Sequence, residues 1–285
     1  MTARQPGMDH PYYALRAYPD PTVVPWPKNA PLAVCAIVHL EHFEPPTAVQ
    51  QSEYSRRDYG NRVGIFRIME AMAHVGLRGT AALDIHTAKH NPFLVDVCRK
   101  AGWEFIGHGL VGNAPISSAM SEEEERGYIQ KSLSLFESYT GVRPVGWLGP
   151  EFGESTRTPA LLAEEGVRYV CDWPNDERPY AMTVPKGTLA SLPILVELDD
   201  AFMIEQRRLT AWRWRRAVEE AADVMIADTG DIAPLMALSI HPWIMGQPHR
   251  IRFMAEALQN LAARGVWFAT GRDVVEAAIP ALPTH

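Results

Sequence analysis

The chain reads as an α/β fold, a (β/α) barrel of seven or eight units. Three observations point there. Strand-like and helix-like stretches alternate over about 250 residues, the usual length of such a barrel. The loops between them are short, which implies parallel strands joined by right-handed crossovers. Polar, aromatic-rich segments nearly all follow strands, and in a barrel those segments gather at one rim, where active sites lie.

The elements follow in order. Residues 1–31 hold Pro11, Pro19, Pro21, Pro25, Pro27 and Pro31 among Tyr12, Tyr13, Tyr18 and Trp26. Proline fixes φ and removes donors, so this is an extended arm, held by its aromatics to the body or a neighbouring subunit, or else a partly disordered tail. Residues 32–285 form a single barrel domain. Residues 32–40 are a continuous apolar run, as suits a strand buried on both faces. Helical spacing follows over 61–75, with Gly76 as the stop. A second strand spans 79–85, ending near Asp84 and His86. Pro92 opens a helix to Lys100, where its missing N–H does least harm. The third strand, from Trp103, ends in Gly107-His108-Gly109.

Ser121-Glu122-Glu123-Glu124 is a capping box for a helix running toward Tyr139, its carboxylates at the positive end. A fourth strand covers 142–148, a helix 159–165, a fifth strand 168–171 and a sixth 189–195. A long helix then runs to about Ile226, with Trp212 and Trp214 two apart and so on different faces. A seventh strand at 235–240, a helix at 249–263, an eighth strand at 266–269 and a helix from Arg272 complete the chain. No internal repeat, low-complexity segment or domain break interrupts it.

The 285 residues are 47% hydrophobic and 21% charged, an ordinary globular balance. A net charge of −7, with no basic patch, argues against nucleic acid as a partner. Cys35, Cys98 and Cys171 lie far apart, which gives no disulfide framework or zinc finger and points to a reducing compartment. No basic segment followed by an apolar run opens the chain, and no apolar run is long enough to span a bilayer. The expectation is a cytoplasmic protein that binds neither membrane nor nucleic acid. The aromatic arm and the exposed-looking tryptophans further suggest a homo-oligomer.

Candidate site residues lie where strands end. His108 sits between two glycines, which let the backbone turn sharply and the imidazole meet a ligand. A histidine so placed is either functional or only a structural, hydrogen-bonded residue. Glu41-His42-Phe43-Glu44 puts two carboxylates and a histidine after the first strand. His241-Pro242-Trp243 follows the seventh. Asp172-Trp173-Pro174-Asn175-Asp176 follows the fifth, and Gly149-Pro150-Glu151 the fourth.

This order of motifs resembles the polysaccharide deacetylase superfamily. The residues that carry it are the carboxylate after strand one, Gly107-His108-Gly109, Arg143-Pro144-Val145-Gly146-Trp147, and Leu238-Ser239-Ile240-His241-Pro242. The resemblance runs from roughly Trp26 to Ala277 and implies a distorted (β/α) barrel. Asp172-Trp173-Pro174-Asn175-Asp176, Arg178-Pro179-Tyr180 and the run from His241 to Arg250 look closest to the branch of metal-independent allantoinases and cyclic imide hydrolases. The implied activity is hydrolysis of a non-peptide C–N bond, in a cyclic amide or imide or an allantoin-like small molecule. Carbohydrate N-deacetylation and non-catalytic metabolite binding are the alternatives.

Two departures from the family pattern bear on the chemistry. Family deacetylases carry an Asp-Asp pair after strand one, one a general base and the other a metal ligand; here Glu41 stands in and the pair is lost. The family's metal motif places a second histidine four residues after the first, and after His108 that position is Gly112. The expectation is therefore no metal, or a single divalent ion such as zinc on an improvised set of His108, Glu41 and Asp84 or His86, with no standard zinc site.

Amide hydrolysis needs an activated water, a stabilised oxyanion and a proton for the leaving group. Glu41 is the candidate base, unless it is only a rim carboxylate paired with arginine. His108 orients water or polarises the carbonyl, and His241 is the candidate acid. Asp172 either orients His241, binds a substrate N–H or caps a turn, and Asp176 has the same choices. Trp147, Trp173 and Trp243 form flat walls around a small ring, or pack. Asn113, Glu151 and Glu154 are candidates for hydrogen bonds to substrate. His39, His42, His74 and His90 rank as weaker candidates.

Overall fold

An eight-residue strand, β1 (Ala33–Leu40), has partners on both edges and is buried at every position. The computed structural model describes residues 10–14, 25–44, 51–228 and 234–278. Ala33, Cys35 and Ile37 face the interior of the curled sheet, with Ala82, Ile106, Leu148, Tyr169, Cys171, Leu235 and Ala237. Val34, Ala36, Val38 and Leu40 face outward to the helices. A strand covered on both faces needs no polar alternation, which is why this stretch of sequence is continuously apolar.

The other strands among the described residues are β2 (Thr80–Leu83), β3 (Glu104–Gly107), β4 (Gly146–Trp147), β5 (Tyr169–Val170), β6 (Tyr180–Met182), β7 (Leu189–Ser191), β8 (Leu235–Ile240) and β9 (Trp267–Phe268). Their order is β6-β7-β5-β4-β3-β2-β1-β8, with β9 on β1. All pairs are parallel except β6 with β7. β8 occupies one edge of β1 along Ala33–Val38; β9 takes the other edge at Ala33 and Val34, and β2 takes that edge from Ile37 on. The seam between β7 and β8 is joined by irregular backbone: Leu195 N–H donates to Ala237 O at 3.1 Å and Leu235 N–H to Glu177 O at 2.7 Å. The fold is thus a distorted α/β barrel.

The helices are α1 (Gln51–Tyr59), α2 (Ile65–His74), α3 (Ile85–His90), α4 (Pro92–Lys100), α5 (Glu122–Thr140), α6 (Thr158–Glu164), α7 (Ala211–Ala227), α8 (Pro242–Met245), α9 (Ile251–Ala263) and α10 (Gly271–Ala278). The Ser121 capping box on α5 is present in both directions. Trp214 is buried and donates to Leu198 O at 2.8 Å, while Trp212 is 38% exposed.

Several boundaries differ from the sequence reading. The helix expected at 61–75 starts at Gln51, because α1 buries no side chain and so leaves no apolar period to detect. The second strand stops at Leu83, where Asp84 accepts Thr87 N–H at 2.7 Å and starts α3. The sixth strand ends at Ser191 and is preceded by the short antiparallel β6. The helix after Asp200 begins with a wide turn, Ala201–Gln206, before Thr210 caps α7.

A second wide turn, Gly60–Gly64, joins α1 to α2. A Cβ on Gly64 would lie 2.1 Å from Pro242 O, so only glycine lets this turn press onto α8. Of the arm, residues 10–14 and 25–31 are described. Trp26 is buried, donates to Pro234 O at 2.9 Å and lies 5.5 Å from the Trp267 ring. Tyr12 and Tyr13 lie against Trp173. Tyr18, Pro19 and Pro21 fall outside the described residues. No described helix is long and apolar enough to cross a membrane.

Candidate active site

Strand parity builds the site. The inward column Ala33, Cys35, Ile37 continues into His39 and Glu41, because alternate residues share a face. In β8, Leu235 and Ala237 continue into Ser239 and His241. Ile106 leads to His108, and Ala82 to Asp84. Apolar columns fill the barrel, and each ends in a polar group at the C-terminal mouth. The β1–β8 register sets Ile37 beside Ser239, so the next inward pair, His39 and His241, meets as stacked rings 4.0 Å apart.

Glu41 Oε2 lies 3.3 Å from His108 Nε2 and 3.9 Å from His39 Nδ1, and Arg57 lies 3.6 Å from Oε1. His108 Nδ1 donates to Leu148 O at 2.7 Å, since a carbonyl only accepts. Its Nε2 then bonds an ionised Glu41 only if the ring is an imidazolium. Burial opposes that charge, but Glu41 overrides it and raises the His108 pKa. Burial likewise opposes ionisation of Glu41, yet His108, His241 and Arg57 bring its pKa below the ordinary value.

His241 Nδ1 lies 2.6 Å from Asp200 Oδ1, and its backbone N–H donates to the same carboxylate. Burial works against the charged ring, but Asp200 and Asp199 lift it to about 9. Burial raises Asp200 to about 6, partly offset by His241. At neutral pH the pair is carboxylate and imidazolium. His39 lies between two such rings; burial, then His241 and His108, keep it neutral. Its Nε2 meets Ser239 Oγ at 2.8 Å, and its buried Nδ1 has no partner among the described residues.

Of the residues singled out in the sequence, Glu41, His108 and His241 come together. Asp172 does not support His241; Asp200 does. Asp172 instead accepts Gly149 N–H at 2.8 Å and faces Glu154. Burial raises Asp172 to about 7 and, with Asp172 beside it, lifts Glu154 well above the carboxylate range. Trp173 donates to Glu154 at 2.8 Å and stands at the rim.

Trp147 is not a wall of the site. It lies next to the inward Leu148, so parity turns it outward, where it is 0% exposed against Gly107. Trp243 is buried under Arg56 and Arg57, 6.2 Å from the His241 ring, and so backs the site through Arg57. Asp176 holds Arg178 and the N–H of Glu177 in a turn. Asn113 clasps the backbone of Glu44 in both directions. Glu151 is exposed on its loop. His86 and Asp84 do not join Glu41 and His108 as further ligands: Asp84 is taken by the N–H groups of His42, Thr87 and Gly112, and His86 stacks on His42.

Sequence reasoning undervalued His39 and missed Asp200, Ser239 and Arg57. Parity with Glu41 and His241 would have found His39 and Ser239. Asp200 comes from an irregular segment and left no periodic signal.

The standard ligand set of the resembled family does not fit this chain. A Cβ on Gly112 would already lie 3.0 Å from Glu41 Cβ and from His42 O. His39, Glu41 and His108, and separately His39, Asp199 and His241, nonetheless present ligand atoms within 4.8 Å of one another.

No family model matches the chain. A Schizosaccharomyces pombe protein named for the polysaccharide deacetylases is 22% identical over 89% of this chain and 92% of its own length. The structure of the Puue allantoinase superposes with a TM-score of 0.82 at 20% identity, covering 92% of this chain and 95% of that one. A Pseudomonas aeruginosa PAO1 structure named for the polysaccharide deacetylases gives 0.84 at 19% identity, covering 92% and 96%. The chain therefore has the fold of these structures, one named for an allantoinase and one for the polysaccharide deacetylases.

Proposed function

We propose that this protein hydrolyses a non-peptide C–N bond in a small molecule, most simply a cyclic amide or imide or an allantoin-like ring. The observation that carries the reading is the convergence at one mouth of Glu41, 3.3 Å from His108, and of His241, 2.6 Å from Asp200, with His39 stacked on His241. That geometry favours an ionised Glu41 and a protonated His241.

In this reading Glu41 takes a proton from water, whose oxygen attacks the carbonyl carbon. The His108 imidazolium, fixed through Leu148 O, faces the negative charge that forms on the carbonyl oxygen. As the C–N bond breaks, the nitrogen takes the Nε2 proton of His241, whose Nδ1–H stays on Asp200. Product release leaves Glu41 to return its proton to solvent and His241 to regain one. His39 stays neutral and keeps the two charged rings apart.

The name of the yeast relative favours a second reading, N-deacetylation of a carbohydrate. A panel of cyclic imides, hydantoins, allantoin and N-acetylated sugar oligomers, each with and without added zinc, separates the two. Ring opening without sugar turnover is expected. A protein that opens no ring and no amide, with or without zinc, would sink the reading.

A further inference from the structure

The loop after β1 and one face of α3 converge on a second group of imidazoles, away from the catalytic cluster. The segment His86-Thr87-Ala88-Lys89-His90 places two histidines four apart on α3, hence on one helical face, and their rings lie 4.5 Å apart. His42 stacks on His86 at 3.6 Å with the planes 5° apart. Glu44 Oε1 completes the group, 3.4 Å from His86 Nδ1 and 3.7 Å from His42 Nε2. The three histidines border a cavity of about 490 Å³ that is also lined by Tyr54, Asp58, Asn61 and Arg62.

These separations suit a particular ion. Zinc holds imidazole nitrogen and carboxylate oxygen at about 2.0–2.2 Å in a tetrahedron, so neighbouring donor atoms lie roughly 3.3–3.5 Å apart. Glu44 Oε1 at 3.4 and 3.7 Å from the two ring nitrogens is close to that spacing, and the ligand atoms of His42, Glu44 and His86 all lie within 4.8 Å of one another. An ion would turn the stacked rings until both nitrogens face it. Imidazole-rich sites prefer zinc, nickel and copper over magnesium or calcium. Without an ion, a lone carboxylate at the rim gains little from two neutral rings, and Glu44 is otherwise 60% exposed.

We propose that His42, Glu44 and His86, with His90 as the fourth donor, form a binding site for one borderline divalent cation of the zinc type. The ion would clamp the loop that carries Glu41 to α3. The site shares no residue with the proposed catalytic groups, so it stands or falls separately from the hydrolase reading.

The test uses the full chain stripped of metal, titrated with zinc alone against a chromophoric chelator, and with cobalt for its tetrahedral absorption. One ion per chain is expected. His86→Ala should weaken it by more than about 100-fold, beyond the 10–100-fold typical of losing a mere supporting partner. His39→Ala should leave it unchanged. If His86→Ala folds poorly, Glu44→Gln at the exposed carboxylate takes its place, with binding again weakened. No binding at micromolar zinc, or binding that survives His86→Ala and Glu44→Gln but is lost in His39→Ala, would overturn the proposal.

Discussion

His241 Nδ1 lies 2.6 Å from Asp200 Oδ1, and the carboxylate also accepts the histidine's own backbone N–H. One buried group thus sets both the tilt and the charge of the ring. Asp200→Asn keeps the shape but removes the charge that raises His241 from 6.5 to about 9. A general acid works only while protonated, so wild-type activity should hold through neutral pH and fall as pH rises through about 9. In the variant that alkaline limb should move down from about 9, because burial is then opposed only by Asp199 and Glu41. Turnover at pH 7 should drop about 10²–10⁴-fold. A pH–rate profile checks this; an unmoved alkaline limb would remove His241 from the role of acid.

Glu41 sits within reach of His108, His39 and Arg57 at once. Glu41→Gln keeps the size and removes the base. Turnover should fall about 10²–10⁴-fold with KM changed far less. Substrate binding measured by calorimetry should persist. A variant that keeps more than half the wild-type turnover excludes Glu41 as base.

The barrel was legible in the sequence because its strands are short apolar runs separated by helical periods. The site was legible only where a strand ran straight into it. Glu41, His108 and His241 stand at such ends. His39 lies inside the run 32–40 and reads as an ordinary strand residue until its parity with Glu41 is noticed. Asp200 follows an irregular segment after β7 and stands at the N-cap position of the wide turn, but its side chain makes no cap bond, so no period announces its role. Trp147 shows the converse: one step of parity separates a site wall from the outer core, and the loop-like Gly-Trp-Leu-Gly spelling hides which side it takes.

Trp147 and Trp173 should therefore respond differently to truncation. Trp147→Ala opens a cavity in the packed outer core and should destabilise the fold by about 3–5 kcal/mol. Trp173 is half-buried, and Trp173→Ala loses the 2.8 Å hydrogen bond to Glu154 and the ring contacts with Tyr12 and Tyr13. It should cost about 1–2 kcal/mol while raising KM. Urea denaturation and steady-state kinetics on both variants separate packing from substrate contact. A stable Trp147→Ala protein with a raised KM would reverse the assignment.

Gly112 decides whether the metal site of the resembled family can be rebuilt here. Gly112→His restores the missing second histidine four residues after His108. Its N–H donates to His42 O at 2.8 Å and to Asp84 at 3.1 Å, so the backbone is held from both sides. Any Cβ meets Glu41 Cβ and His42 O at 3.0 Å, and neither is the free end of a flexible side chain. A side chain there makes Glu41, the group the chemistry needs most, or the backbone of His42 give by a few tenths of an ångström. The variant should lose at least about tenfold in turnover, as expected when a reacting group moves by an ångström or less. It should also gain no zinc at His108. Metal content should be measured in Gly112→His with His86→Ala alongside, so that any ion at the outer imidazoles does not count. A variant that takes up one zinc in that background and keeps full activity would show that this mouth tolerates the ligand geometry of the resembled family, and that Glu41 is more mobile than its three contacts imply.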